Sequence, residues 1–300
     1  MTSRRIGALS MTPTLVRHHR HHANAASAPT ADAGARARDW AEIQERMLVP
    51  LYEAAYARLE VGPATRLLGL DCGSGLALLI AASRGARVTG VEADPDRVAL
   101  ARERLSGTED TPDEPTRLYE GESAEVCDGA APAYNLITAF EPLGCAAGDS
   151  EGLAAALTSA IPLAERGSAV VLVGWGPPER CATSSVLRVA SRLTETLRAT
   201  GGGGAGRGWR PALRDDLEDA ASRAGLKPDG SGRVACPFGY ADMDSAVRGL
   251  LSTGLFDAAV RATDPAQVEK ELVEALHPHV RRDGTVWMSN VFRYLIARTP

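Results

Sequence analysis

Apolar residues recur along this 300-residue chain in two alternating rhythms. From Ala35 to Val61 they come at three- and four-residue steps: Trp40, Ile43, Met47 and Leu48, then Tyr52, Tyr56 and Leu59 after Pro50. That spacing predicts two amphipathic helices, with the proline marking the second. Short runs rich in Val, Ile and Leu then predict strands at 66–72, 86–93, 116–121, 134–140 and 168–175. Between them the helical rhythm returns at 76–84, 95–105 and 150–165, with a short turn or helix near 123–127. Strand–helix alternation of this kind implies an α/β fold, a doubly wound parallel sheet with right-handed crossovers.

The pattern loosens toward the C-terminus. A helix at 182–199 runs into Gly201-Gly202-Gly203-Gly204, a flexible tether. Another is expected at 211–224, with Pro211 near its first turn and Gly225 after its end. Residues 233–241 read as a sixth strand, 242–280 as a helical insertion and 285–298 as a last strand after Arg282-Asp283-Gly284. Before all of this, residues 1–34 show little periodicity. They read as a disordered tail or as sequence upstream of the true start, and their lack of acids before Asp32 also fits a transit peptide. The organisation expected is a tail (1–34), a helical cap (35–61) and one large domain (62–300) with helical insertions near 179–200 and 242–280.

Composition narrows the function classes. A net charge of −5 gives no basic field, and 5% aromatics leave little for stacking bases, so nucleic acid is not expected as a partner. No apolar run reaches the length of a membrane span. The five cysteines are scattered and never in CxxC spacing, as in reduced thiols of a cytoplasmic protein. The cluster His18-His19-Arg20-His21-His22 offers imidazoles to a metal ion or an anionic partner. In an unstructured tail they are not pre-organised, and no metal site is expected.

The chemistry concentrates in Leu67-Leu68-Gly69-Leu70-Asp71-Cys72-Gly73-Ser74-Gly75 and the later Arg87-Val88-Thr89-Gly90-Val91-Glu92. A strand entering a glycine-rich turn lets backbone approach a ligand, with the next helix's free N–H groups facing it. Glu92, at the end of the second strand, is placed to accept hydrogen bonds from ribose hydroxyls. Together these indicate a nucleoside-containing ligand in the crevice above the sheet. Leu78 stands where the dinucleotide fingerprint wants Gly or Ala, and no GK[ST] follows. The residues alone leave the nucleoside open.

The turn Cys72-Gly73-Ser74-Gly75, the spacing to "GARVTGVEAD" and "FEPLG" after "YNLITA" resemble class I S-adenosylmethionine-dependent methyltransferases, especially small-molecule enzymes of the ubiquinone/menaquinone-biosynthesis type. The resemblance runs from about residue 40 to 300. It implies a Rossmann-like, seven-stranded, mostly parallel sheet whose last strand is antiparallel, with a helical N-terminal cap and lid insertions. It further implies S-adenosylmethionine as cofactor and in-line methyl transfer to a small or lipophilic metabolite. By the same resemblance Gly73 and Gly75 pass under the methionine part, Glu92 holds the ribose and Ala93 borders the adenine. Glu122 and Ser123 read the adenine edge, Phe140 borders the sulfonium, and Tyr52 and Tyr56 close over cofactor or acceptor.

Three positions depart from the family. Gly69 stands where the family has an acid, Asp71 where it has the first turn glycine, and Asn135 where it has Asp. Asp71 either crowds the cofactor carboxylate or takes over the missing acid's contact with the methionine amino group. The alternatives are a pseudo-methyltransferase serving as a regulatory or partner-binding module, and a cyclase using the lid cavity. His277 and His279, around Pro278, are candidate general bases, with a surface role as the plainer reading. The series Arg188, Arg192, Arg198, Arg207, Arg210 and Arg214 reads as a solvated face.

Overall fold

The computed structural model describes residues 33–106, 116–121, 133–145, 148–199 and 210–300. Most of the N-terminal tail, the segment near 123–127 and the tether Gly201–Gly204 lie outside the described residues.

The chain enters through one continuous helical segment. An α-helix, α1 (Ala33–Asp39), passes into a π-helical turn (Trp40–Gln44) and a 3₁₀ turn (Glu45–Leu48), then into α2 (Val49–Arg58). Pro50 sits in the first turn of α2, where its missing N–H is not needed, so the helix does not break there. Alternation follows: β1 (Arg66–Leu70), α3 (Leu76–Ser83), β2 (Arg87–Glu92), α4 (Pro95–Leu105), β3 (Arg117–Glu120), β4 (Tyr134–Leu143), α5 (Asp149–Ala160) and β5 (Ala164–Trp175). Next come α6 (Thr183–Ala199), α7 (Asp216–Arg223), β6 (Lys227–Ala235), β7 (Phe238–Tyr240), α8 (Met243–Ser252), α9 (Asp257–Ala262), α10 (Pro265–Leu276), β8 (Val286–Met288) and β9 (Val291–Arg298).

Seven strands form one sheet in the order β3-β2-β1-β4-β5-β9-β6. β1 to β5 are mutually parallel, and β9 runs antiparallel between β5 and β6. The period of two along each strand divides the core between the faces. Leu67, Leu136, Val171 and Val173 face the side covered by α2, α3 and α6, where Leu78 and Val186 are buried with them. Leu68, Leu70, Ile137, Val170 and Leu172 face α5 and α7, with Leu157, Leu217 and Ala221. α4 turns Val98, Ala101 and Leu105 inward, and Asp94 caps it by accepting the N–H groups of Asp96 (2.9 Å) and Arg97 (3.3 Å).

Three expectations are corrected. The sixth strand is two, β6 and β7, because Pro237 has no N–H to donate and interrupts the ladder. The last strand is likewise two. Asn290 bends the chain, its carbonyl taking Cys236 N–H at 3.0 Å and its side-chain oxygen taking Thr183 N–H at 3.2 Å. β7 and β8 then pair separately as a two-stranded sheet. The third correction is that α7 starts at Asp216, so Pro211 lies outside it. The Asp216 carboxylate accepts from Leu213 N–H (2.7 Å) and Arg210 (2.8 Å), holding the preceding residues as a turn. Arg210 also donates to Asp149 at 2.8 Å, so it is an internal tie and not part of a solvated face.

Candidate functional site

The crossover between β1, which continues to β2 on one side, and β4 on the other leaves a crevice at their carboxyl ends. That is the topological switch point where ligands bind in open α/β sheets. The turn after β1 holds three residues at positive φ: Asp71 (+46°), Gly73 (+59°) and Gly75 (+77°). Gly73 donates its N–H to Glu92 Oε2 at 2.8 Å, while Glu92 Oε1 accepts Asp94 N–H at 3.0 Å. Glu92 is 5% exposed, so this carboxylate fixes the turn against the end of β2.

The two turn glycines serve different ends. A Cβ on Gly75 would lie 3.0 Å from Ala101 Cβ and 3.3 Å from its Cα, so this glycine lets α3 and α4 close together. A Cβ on Gly73 would lie 3.0 Å from both Glu45 Oε1 and Trp40 Nε1, side chains of the N-terminal cap. Gly73 therefore faces the crevice, and the cap covers that face.

A narrow pocket of about 40 Å³ lies there. Trp40, Glu45 and Tyr52 wall it from the cap; Gly69, Asp71 and Gly73 from the turn; Phe140 and Glu141 from the end of β4; and Arg97 from α4. Glu45 is among the most buried charges of the protein, at 2% exposure. It accepts from Arg104 Nη1 at 2.7 Å and from the Ser74 hydroxyl, and Arg104 also donates to Ser74 O at 2.9 Å. Burial raises the Glu45 carboxyl above its ordinary value, and Arg104 and Ser74 oppose that rise. The Arg97 guanidinium lies 4.6 Å from the centre of the Trp40 ring and donates to Ser252 O at 3.3 Å. Trp40 Nε1 and Arg97 Nε are both buried without a hydrogen-bond partner among the described residues.

The two cap tyrosines separate. Tyr56 is fully buried, donates to Ala77 O at 3.0 Å and packs edge-on against Phe140, so it is a core residue. Tyr52 packs its ring 4.7 Å from Phe140 and lines the pocket, and its hydroxyl makes no hydrogen bond among the described residues. Burial pushes this phenol well up, reinforced by the nearby Glu45.

Of the residues singled out in the sequence, Gly69, Asp71, Cys72, Gly73, Phe140 and Tyr52 meet at this pocket. Glu92 stands behind Gly73, and Ala93 is exposed beside it. Gly75 and Tyr56 are engaged in packing. Glu122 and Ser123 lie outside the described residues; the last described residue before them, Gly121, donates its N–H to Glu92 O at 3.0 Å. His277 and His279 form a 3₁₀ turn after α10; neither lines the pocket, and desolvation lowers the pKa of His279. Asn135 lies at the opposite end of the sheet, accepting from Arg66 N–H (2.8 Å) and donating to Ala64 O (2.9 Å). Its departure from the family pattern joins the starts of β1 and β4 and leaves the crevice untouched. No cluster able to hold a metal ion occurs among the described residues, and none of their helices is long and apolar enough to cross a membrane.

Sequence reasoning missed Glu45, Arg97 and Arg104, and read Trp40 only as part of an apolar helix face. The available signal was a Glu inside an apolar helical stretch, followed downstream by an unmatched Arg.

No family model and no curated protein matches the chain. Solved structures do. A presumptive methyltransferase (BH2331) of Bacillus halodurans C-125 superposes with a TM-score of 0.52 at 14% identity, over 83% of this chain and 98% of that one. The YcgJ protein of Bacillus subtilis superposes with a TM-score of 0.50 at 16% identity, over 86% and 100%. With the strand order and the antiparallel β9, these likenesses identify the fold as that of class I methyltransferases.

Proposed function

We propose that this protein binds S-adenosylmethionine over β1 and β4 and directs its methyl group to a small or lipophilic acceptor. The observation that carries the reading is the company at one pocket. Three carboxylates (Glu45, Asp71, Glu141) stand with three rings (Trp40, Tyr52, Phe140) at the switch point. A dinucleotide would bring phosphates to that acidic edge, where like charges repel. A sulfonium carrying an α-ammonium brings positive charge, which both carboxylates and aromatic faces attract.

The cofactor, when bound, supplies an electrophilic methyl group. The rest of the work is positional. Glu92 holds the Gly73 turn and keeps lone pairs for ribose hydroxyls. Phe140 and Tyr52 form an apolar wall beside the reacting end, and the Tyr52 hydroxyl is available to orient the acceptor. The cap walls the pocket on its side with Trp40, Glu45 and Tyr52. The free thiols Cys72, Cys145, Cys181 and Cys236 favour a reducing compartment such as the cytoplasm.

Calorimetric titration with S-adenosylhomocysteine, with NAD as control, tests the reading. Binding of the first and not the second is expected; the reverse would end it. A second reading has one observation behind it, the left-handed Asp71 where the family has glycine. There the cradle no longer takes cofactor, and the fold serves as a regulatory or partner-binding module. A folded protein that binds neither S-adenosylmethionine nor S-adenosylhomocysteine selects that alternative.

A further inference from the structure

We infer that the N-terminal cap, and not the glycine-rich turn, clamps the amino-acid end of the ligand: Trp40 Nε1 donates to its α-carboxylate and Glu45 receives its α-ammonium. The inference rests on the cofactor reading above and assigns two residues that lie outside the family's motifs.

The first observation is an unmet donor. Trp40 Nε1 is buried, lines the pocket and has no hydrogen-bond partner among the described residues. Buried polar groups are nearly always paired, so an orphaned one at a ligand pocket calls for an acceptor from the ligand. Trp40 Nε1 and Glu45 Oε1 reach the same point beside Gly73, each 3.0 Å from its virtual Cβ, yet the indole N–H is not spent on that carboxylate. A donor and an anionic acceptor side by side, unpaired with each other, match the two ends of a zwitterion.

The second observation is that both groups are held in place. The Arg97 guanidinium lies over the indole and is itself anchored to Ser252 O. Glu45 Oε2 takes both Arg104 and Ser74, the Leu76 N–H also bonds the carboxylate, and Oε1 is the oxygen turned to Gly73. The third is the emptiness of the family's own position. A Cβ at Gly69 would lie 2.9 Å from Leu78 Cδ2, so an apolar side chain of α3 lies against the position where the family's acid would stand. Glu45 brings a carboxylate to the same turn from the cap.

The test compares two ligands that differ in the amino-acid end. Wild type and Trp40→Phe are titrated calorimetrically with S-adenosylhomocysteine and with 5′-methylthioadenosine, which keeps the nucleoside and lacks the amino acid. Phe preserves a ring under Arg97, and thermal unfolding checks the fold. The expected result is a loss of about tenfold to a hundredfold for S-adenosylhomocysteine and no change beyond about twofold for 5′-methylthioadenosine. Glu45→Gln should show the same selectivity. Equal losses for both ligands, or no loss for either, overturn the clamp while leaving the cofactor reading intact. A folded wild type that binds neither ligand overturns the cofactor reading, and the clamp with it.

Discussion

The backbone N–H of Gly73 donates to Glu92 Oε2 at 2.8 Å, so the acid ending β2 holds up the turn that ends β1. The same carboxylate accepts Asp94 N–H at 3.0 Å and thereby sets the entry to α4. Glu92→Ala leaves two backbone donors without their acceptor at a site 5% exposed. At about 1–3 kcal/mol for each orphaned group, with water able to enter the space, a loss of about 2–4 kcal/mol is expected in urea unfolding. Glu92→Gln keeps an acceptor oxygen and should lose less than half of that. If both variants unfold like wild type, the carboxylate does not support the turn.

Asp71 adopts φ +46°, a conformation that costs an ordinary side chain about 1–2 kcal/mol. Asp71→Gly removes that strain but adds about 0.5–1 kcal/mol of unfolded-state entropy. The net gain expected is about 0.5–1 kcal/mol, read from the denaturation midpoint at unchanged slope. Affinity for S-adenosylhomocysteine in the same variant separates the two roles open to this carboxylate. Tighter binding means relief of repulsion, the outcome that agrees with an ammonium held by Glu45; weaker binding means that Asp71 itself contacts the ammonium and counts against the cap clamp.

The turn and its acid are legible in sequence because positive φ selects Gly73 and Gly75, and because β2 must end near that turn. The cap residues are not. Glu45 lies 29 residues before Ser74, and the helix carrying it changes pitch from π to 3₁₀ between Trp40 and Leu48. A constant step of 3.6 residues cannot follow that change of phase, which turns Gln44 and Glu45 inward with Ile43. Departures of this kind recur at functional sites, and the pocket is the evident reason here.

The division of the last strand is hidden for another reason. Only the short polar pair Ser289-Asn290 interrupts its apolar run, and what bends the chain there is a tertiary bond from Cys236 N–H to Asn290 O. Two polar residues are too brief a break to show that a partner more than fifty residues away divides the strand. Pro237, by contrast, was a visible stop signal inside the stretch 233–241.

Cys145 and Cys236 should resist alkylation in the native protein. Burial pushes both thiols up to about 12, so at pH 8 only about one in ten thousand is thiolate, against roughly a quarter of ordinary thiols. Their slow native reaction with iodoacetamide should climb about tenfold per pH unit within the folded range, as the thiolate fraction does below the pKa, whereas denaturant should expose both at once. Rapid native labelling of either would show that its shell opens. Mass spectrometry of the labelled peptides gives the answer residue by residue.

Arg104 is the counter-charge of Glu45, at 2.7 Å and 19% side-chain exposure against 2%. Arg104→Met keeps the apolar stem and deletes the charge, leaving a buried carboxylate with hydrogen bonds from Ser74 and Leu76 but no counter-charge. Removing one partner of a buried pair costs about 3 kcal/mol or more at neutral pH. The loss should depend on pH in a definite direction. Burial already raises the folded-state value of Glu45 above its unfolded one, and losing Arg104 raises it further. Between those two values the folded state binds more protons than the unfolded state, so stability falls as pH rises through the window. The deficit of Arg104→Met relative to wild type should therefore shrink on acidification toward pH 5. The double variant Arg104→Met with Glu45→Gln, with no charge to bury, should recover much of the loss and show a flatter pH dependence. A deficit that stays constant from pH 8 to pH 5 would mean that Arg104 stabilises the cap through its packing or its bond to Ser74, not through Glu45.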